Sequence, residues 1–129
     1  MITRQQLSVL KTRMEEPRRF IQVLAGPRQV GKTTLVQQFV QQTNTPVLSV
    51  SADLVEPTNK EWIILQWETV RSKMRIQQLT EYILIIDEIQ RINDWSAVVK
   101  REWDADTQQG INIKVILLGS SRLLLKDHQ

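Results

Sequence analysis

Four short apolar runs alternate with longer stretches of helical periodicity, and this alternation restricts the chain to few folds. The runs are "RFIQVLA" (19–25), "VLSVS" (47–51), "YILII" (82–86) and "INIKVILL" (111–118). Each has the length of a strand and is far too short to span a bilayer. Between the first two, Leu35, Val36, Phe39 and Val40 recur at helical spacing, with glutamines on the other face. Between the second and third, Ile63, Trp67, Val70 and Met74 form a stripe, and Thr58 with Glu61 has the spacing of a capping box. Before the fourth, Trp95, Val98, Val99 and Trp103 form another stripe, which Asn93 or Asp94 can cap and Gly110 can end. Residues 3–15 add a short polar helix stopped by Pro17. Strand and helix in alternation predict an α/β fold, a three-layer sandwich around a mostly parallel sheet. The fully apolar "YILII" suits a strand covered on both faces.

In such sheets ligands bind at the carboxyl ends of the strands. The first, third and fourth runs continue there into "GPRQVGKTT", "DEIQ" and "GSSR". The stretch "GPRQVGKT" fits G-x-x-x-x-G-K-[ST], the phosphate-binding P-loop, and it falls between a predicted strand and a predicted helix as that motif requires. Gly26 and Gly31 permit a tight turn and a close backbone approach that a Cβ would obstruct. The backbone of Gly26, Arg28, Gln29, Val30, Gly31, Lys32, Thr33 and Thr34 is then the expected phosphate nest. The side chains of Arg28 and Gln29 receive no role. The helix beginning near Lys32 turns its positive end toward the anion. Lys32 supplies a full charge for the β- and γ-phosphates, and Thr33 a hydroxyl for Mg²⁺.

Asp87 ends the third strand, where a carboxylate can hold Mg²⁺ or its waters. Glu88 follows at once and can take a proton from an attacking water. After the fourth strand, Ser120 or Ser121 can sense the γ-phosphate, although the same residues also suit a plain polar turn. The bulk composition agrees with one soluble domain of 129 residues, expected in the cytoplasm. There is no cysteine for a disulfide framework or a thiolate metal site. A net charge of +3 and the basic clusters Arg18–Arg19 and "RSKMR" (71–75) allow nucleic-acid contact on electrostatic grounds. No aromatic residues interleave with them, so solvated helix faces account for them more simply.

Together "GPRQVGKTTL", "LIIDEIQ" and "LLGSSRLLL" resemble the prokaryotic AAA-type ATPases, in which the P-loop domain precedes a further C-terminal domain. The resemblance runs from "ITR" near the start to "RLLL" near the end. It implies that Lys32 and Thr33 bind ATP and Mg²⁺, that Asp87 is the Walker B acid and that Glu88 is the catalytic glutamate. It also implies an adenine near Ile2–Arg4, and a first strand flanked by the fourth on one side and a fifth on the other. The family's fifth strand, helical lid and arginine finger have no counterpart here, so residues 1–129 are expected to form one incomplete domain with weak turnover. Such a chain is expected to self-associate through its first strand or through the AAA-type interface.

The residues leave two readings of function open, an Mg²⁺-dependent ATP-hydrolysing domain and a nucleotide-binding module with negligible turnover. A GTPase switch is disfavoured, because Asp87 is followed by Glu88, Ile89 and Gln90 in place of D-x-x-G, and no N-K-x-D occurs. A small-molecule kinase would need an acceptor site and an arginine-bearing lid, neither of which is visible.

Overall fold

The structure is a computed structural model that describes residues 4–18, 21–25 and 32–120. In chain order the elements are α1 (Arg4–Glu15), β1 (Gln22–Ala25), α2 (Lys32–Gln42), β2 (Val47–Ser51), α3 (Glu61–Gln77), β3 (Tyr82–Asp87), a 3-10 turn (Ile89–Arg91), α4 (Trp95–Gln109) and β4 (Ile113–Gly119). The sheet has four strands in the order β1-β4-β3-β2. Every ladder in it is parallel. The fold is therefore the α/β arrangement the alternation predicts, and β1 pairs with β4 as the resemblance implies.

The period-2 alternation of the strands sorts the core into two layers. Leu84, Ile86, Val115 and Leu117 face α3 and α4, joining Ile63, Trp67, Val70, Trp95 and Val99. Ile83, Ile85, Ile116 and Leu118 face α1 and α2, joining Leu10, Met14, Leu35, Val36 and Phe39. Helices cover both faces, so β3 is apolar at every position up to Asp87, as parallel strands in such folds are. On α2 the stripe is narrower than its spacing suggests, because Val40 turns outward at 36% exposure. On α3 all four expected stripe residues are buried.

Two helix starts differ from expectation. Thr58 does not cap α3; the N-cap is Lys60, which makes no side-chain cap bond. Asn59 takes that role, its Oδ1 accepting from Trp62 N at 3.2 Å. The chain at 56–60 is already folded into turns, with Asn59 N bonded to Glu56 O and Lys60 N to Thr58 O. Those turns displace the helix start beyond Thr58. Asp94 is the N-cap of α4 but adopts a left-handed conformation with no side-chain cap bond. Its carboxylate pairs instead with Lys60 Nζ at 2.9 Å. Gly110 ends α4 as expected, at φ 71°, its N–H reaching Asp106 O and Thr107 O.

The first strand is shorter than "RFIQVLA", beginning at Gln22; Arg19 and Phe20 lie outside the described residues. Among the described residues β1 has a strand neighbour on one side only. Val23 on it is 41% exposed. No helix among the described residues is long and apolar enough to cross a membrane.

Candidate functional site at the carboxyl edge of the sheet

The registers align the ends of the strands. Ala25 stands beside Gly119, and Ser51 beside Asp87. Because all four strands run the same way, whatever follows Ala25, Ser51, Asp87 and Gly119 emerges at one edge of the sheet. Residues 26–31 follow Ala25 and α2 begins at Lys32, so the expected phosphate loop joins a strand to a helix at that edge. Gly26, Pro27, Arg28, Gln29, Val30 and Gly31 themselves lie outside the described residues. Lys32 and Thr33 are described only as the opening backbone of α2, and Thr34 is exposed. Ser120 directly follows β4 at the same edge and is half-buried. Ser121 and Ile2–Thr3 lie outside the described residues, as does the side chain of Arg4.

The acidic pair has a defined local geometry. Asp87 closes β3, its carbonyl accepting from Ala52 N at 2.9 Å, which seals it to the end of β2. Its Oδ1 accepts from Glu88 N at 2.8 Å. Glu88 has φ 54° and ψ 39°, a left-handed conformation in a residue that bears a Cβ. Such a backbone costs on the order of 1 kcal/mol and persists only where its surroundings impose it. Here it turns the chain sharply from strand into the 3-10 turn. The Glu88 carboxylate accepts from Gln90 Nε2 at 2.8 Å.

Two further polar side chains stand at this edge without a role assigned from sequence. Gln90 is one, although "DEIQ" contains it. The tail of β2 is the other: Ser51 sits level with Asp87, and its Oγ accepts from Asp53 N at 3.1 Å. The polar "SVSAD" after an apolar strand start was the signal for it.

The basic clusters have a structural use that sequence reasoning missed. Arg71 projects from α3 to α4, donating Nε to Asp106 Oδ1 at 2.9 Å and Nη1 to Glu102 Oε1 at 2.9 Å. Its Nη1 also meets Glu68 at 2.8 Å. Trp67 Nε1 donates to the second Asp106 oxygen at 2.9 Å. Arg18 lies 3.5 Å over the Trp103 ring and donates to the carbonyls of Trp103 and Ile113. Burial pushes the Asp106 carboxyl above its ordinary value, while the bonds from Arg71 and Trp67 and the charge of Arg18 pull it back. Arg18 and Arg71 are thus clamps onto α4 rather than solvated cations. Arg75 is exposed at the surface, and Arg19 lies outside the described residues.

A profile described as AAA domain matches residues 18–129. The chain belongs to that family. Among solved structures, this AAA domain is similar to a RuvB variant from Thermotoga maritima, with a TM-score of 0.54 and 22% identity. The match covers 98% of this chain and 43% of that one, so the AAA domain spans less than half of the RuvB chain. At that identity the likeness is one of fold. No curated protein sequence matches the chain. Nucleotide binding and a P-loop fold follow from the family; the elements around the edge described above are where such a fold holds its ligand.

Proposed function

We propose that this AAA domain binds ATP with Mg²⁺ and hydrolyses it between the β- and γ-phosphates. The observation that carries this reading is that Ala25 at the end of β1 and the Asp87–Glu88 pair at the end of β3 lie on one edge of a parallel sheet, with α2 opening at Lys32 soon after Ala25 in the chain. An N-terminal helix end offers unpaired N–H groups and a partial positive charge to a polyphosphate. Lys32 would neutralise the β- and γ-phosphates, and the Thr33 hydroxyl would help to hold Mg²⁺. Asp87 fits the ion's demand for hard oxygen ligands. Its Oδ1 is engaged by Glu88 N, which leaves Oδ2 for Mg²⁺ or one of its waters. Bound Mg²⁺ would neutralise charge that develops on the phosphate oxygens.

Glu88 acts as the base. One proton of the attacking water passes to its carboxylate as the water oxygen bonds to the γ-phosphorus. The bond from that phosphorus to the β,γ-bridging oxygen breaks, giving ADP and inorganic phosphate, and Glu88 later returns its proton to solvent. Ser120 or Ser121 orients the γ-phosphate. A cytoplasmic setting, where MgATP is abundant, belongs to the same reading. So does self-association through the side of β1 that no described strand pairs, beside an apolar groove of about 560 Å³ that includes Ile21, Val23, Trp95 and Trp103.

Calorimetry with MgATP and a phosphate-release assay test the proposal side by side. Lys32→Ala is expected to weaken binding at least tenfold, since charge-assisted contacts are worth roughly 1.5–3 kcal/mol each. Glu88→Gln is expected to bind MgATP within about twofold of the parent and to release no phosphate, because the amide cannot accept the proton. Unchanged affinity in Lys32→Ala would sink the phosphate-loop assignment. Binding without turnover in the parent would favour a nucleotide-holding module instead.

A further inference from the structure

Glu88 is a flexible side chain on a strained backbone, and a base is useful only if its carboxylate points at the water it serves. Among the described residues, Gln90 donates to it, Nε2 to Glu88 Oε2 at 2.8 Å. The chemistry fixes which way this amide faces. A carboxylate only accepts, so the nitrogen must lie toward Glu88 and the carbonyl away from it. In that orientation Gln90 Oε1 is buried with no hydrogen-bond partner among the described residues. The pairing to Glu88 is therefore kept at the expense of an unsatisfied acceptor, which a side chain present only to fill space would relieve by turning to solvent.

The turn that carries Gln90 is itself fixed. Ile89 and Ile92, on either side, are fully buried in the core under α3 and α4. Arg91 Nε donates to Val55 O at 2.8 Å, and Asn93 N to Pro57 O at 2.8 Å, tying the turn to the segment after β2. A neutral amide on such a base suits the task better than a lysine would. It orients one carboxylate oxygen without adding a positive charge that would make the base reluctant to take a proton.

We propose that Gln90 is the positioning residue of Glu88, holding its carboxylate in the plane from which it takes the proton of the attacking water. The inference rests on the ATPase reading above. Placement of this kind acts on turnover far more than on affinity, because the carboxylate meets the water and not the phosphates.

The test uses the whole 129-residue chain and two independent readouts. The first is the side-chain amide resonance of Gln90 in a ¹⁵N correlation spectrum, assigned by its loss in Gln90→Leu. Glu88→Ala is expected to move both amide protons toward the positions of a solvent-exposed glutamine. The second is phosphate release together with MgATP affinity. Gln90→Leu is expected to keep the dissociation constant within twofold and to lower kcat at least tenfold, and to change nothing further in a Glu88→Gln background. If Glu88→Ala leaves the Gln90 amide where it was, the pairing is absent and the proposal fails, whether or not the chain hydrolyses ATP. A responsive amide with parental turnover in Gln90→Leu removes the positioning role and leaves the ATPase reading standing. Affinity that falls in step with turnover marks a folding defect and also overturns the role. A parent that binds MgATP without hydrolysing it overturns the ATPase reading, and the positioning role with it.

Discussion

Replacing Arg71 by alanine removes the one cation among the described residues that bridges α3 to the acids of α4. Asp106 is fully buried, and the Arg71 and Glu102 side chains are 12% and 11% exposed. After the change, Asp106 retains the Trp67 N–H bond at 2.9 Å. Glu102 retains a looser contact with Arg101 at 3.7 Å. Breaking a buried ion pair from one side costs about 3–5 kcal/mol, because a buried charge is left uncompensated. Water entering the space of the guanidinium favours the lower end, about 3 kcal/mol, which is a large part of a typical 5–15 kcal/mol of stability. With a urea slope of about 1–3 kcal/mol/M, the midpoint falls by roughly 1–3 M.

Urea unfolding followed by tryptophan fluorescence measures this, and the pH dependence checks the cause. Burial sets the folded Asp106 carboxyl above its ordinary value. For such a group the contribution to stability is fully present below the unfolded value, about 3.9, and is lost as pH rises through the folded value. Removing Arg71 raises the folded value further. The deficit of Arg71→Ala against the parent is therefore largest near neutrality and shrinks on acidification. Adding Asp106→Asn to Arg71→Ala should recover part of the loss at pH 7. A loss below about 0.5 kcal/mol, the range of ordinary surface substitutions, would refute the clamp and return Arg71 to the solvated face that its cluster suggests.

Other expectations are simpler. Gly110→Ala should cost about 1 kcal/mol from backbone strain alone, since φ is 71° and a Cβ there meets nothing within 4 Å; thermal unfolding would show it, and Gly110→Asn should lose less. Light scattering across a concentration series should detect self-association that Val23→Lys reduces, because a charge on an edge that no described strand pairs blocks strand pairing; a monomer at every concentration would mean that the edge of β1 is covered. Asp87→Asn should weaken nucleotide binding in Mg²⁺ and leave Mg²⁺-free binding almost unchanged in calorimetry, and equal losses in both would argue against a metal ligand.

Local sequence signals decide what is local in the chain. The apolar runs locate β2, β3 and β4 to within two residues at either end, and for β3 and β4 the reason is that a strand buried on both faces tolerates few polar side chains. Gly110 ends α4 because a left-handed residue is needed at that point. The pattern strand, glycine loop, Lys-Thr, helix is likewise written in consecutive residues, as is the acidic pair that closes β3. Their meeting at one edge follows once the sheet is parallel, which the alternation already implies.

What tertiary structure alone decides are pairings between residues far apart in the chain. Arg71 and Asp106 are separated by 35 positions, and Arg18 and Thr107 by 89. No local pattern distinguishes such a clamp from a wet helix face. Lys114, in the middle of "INIKVILL", looks like an error in a buried strand until α1 is in place; its Nζ then donates to Met14 O across 100 positions. The side-chain cap of α3 passed from Thr58 to Asn59, and its start to Glu61, because turns upstream had already used the chain. Gln90 stands two residues from Glu88 in the sequence, yet the sequence is silent on their contact, since it takes the left-handed turn at Glu88 and the buried Ile89 and Ile92 to aim one side chain at the other.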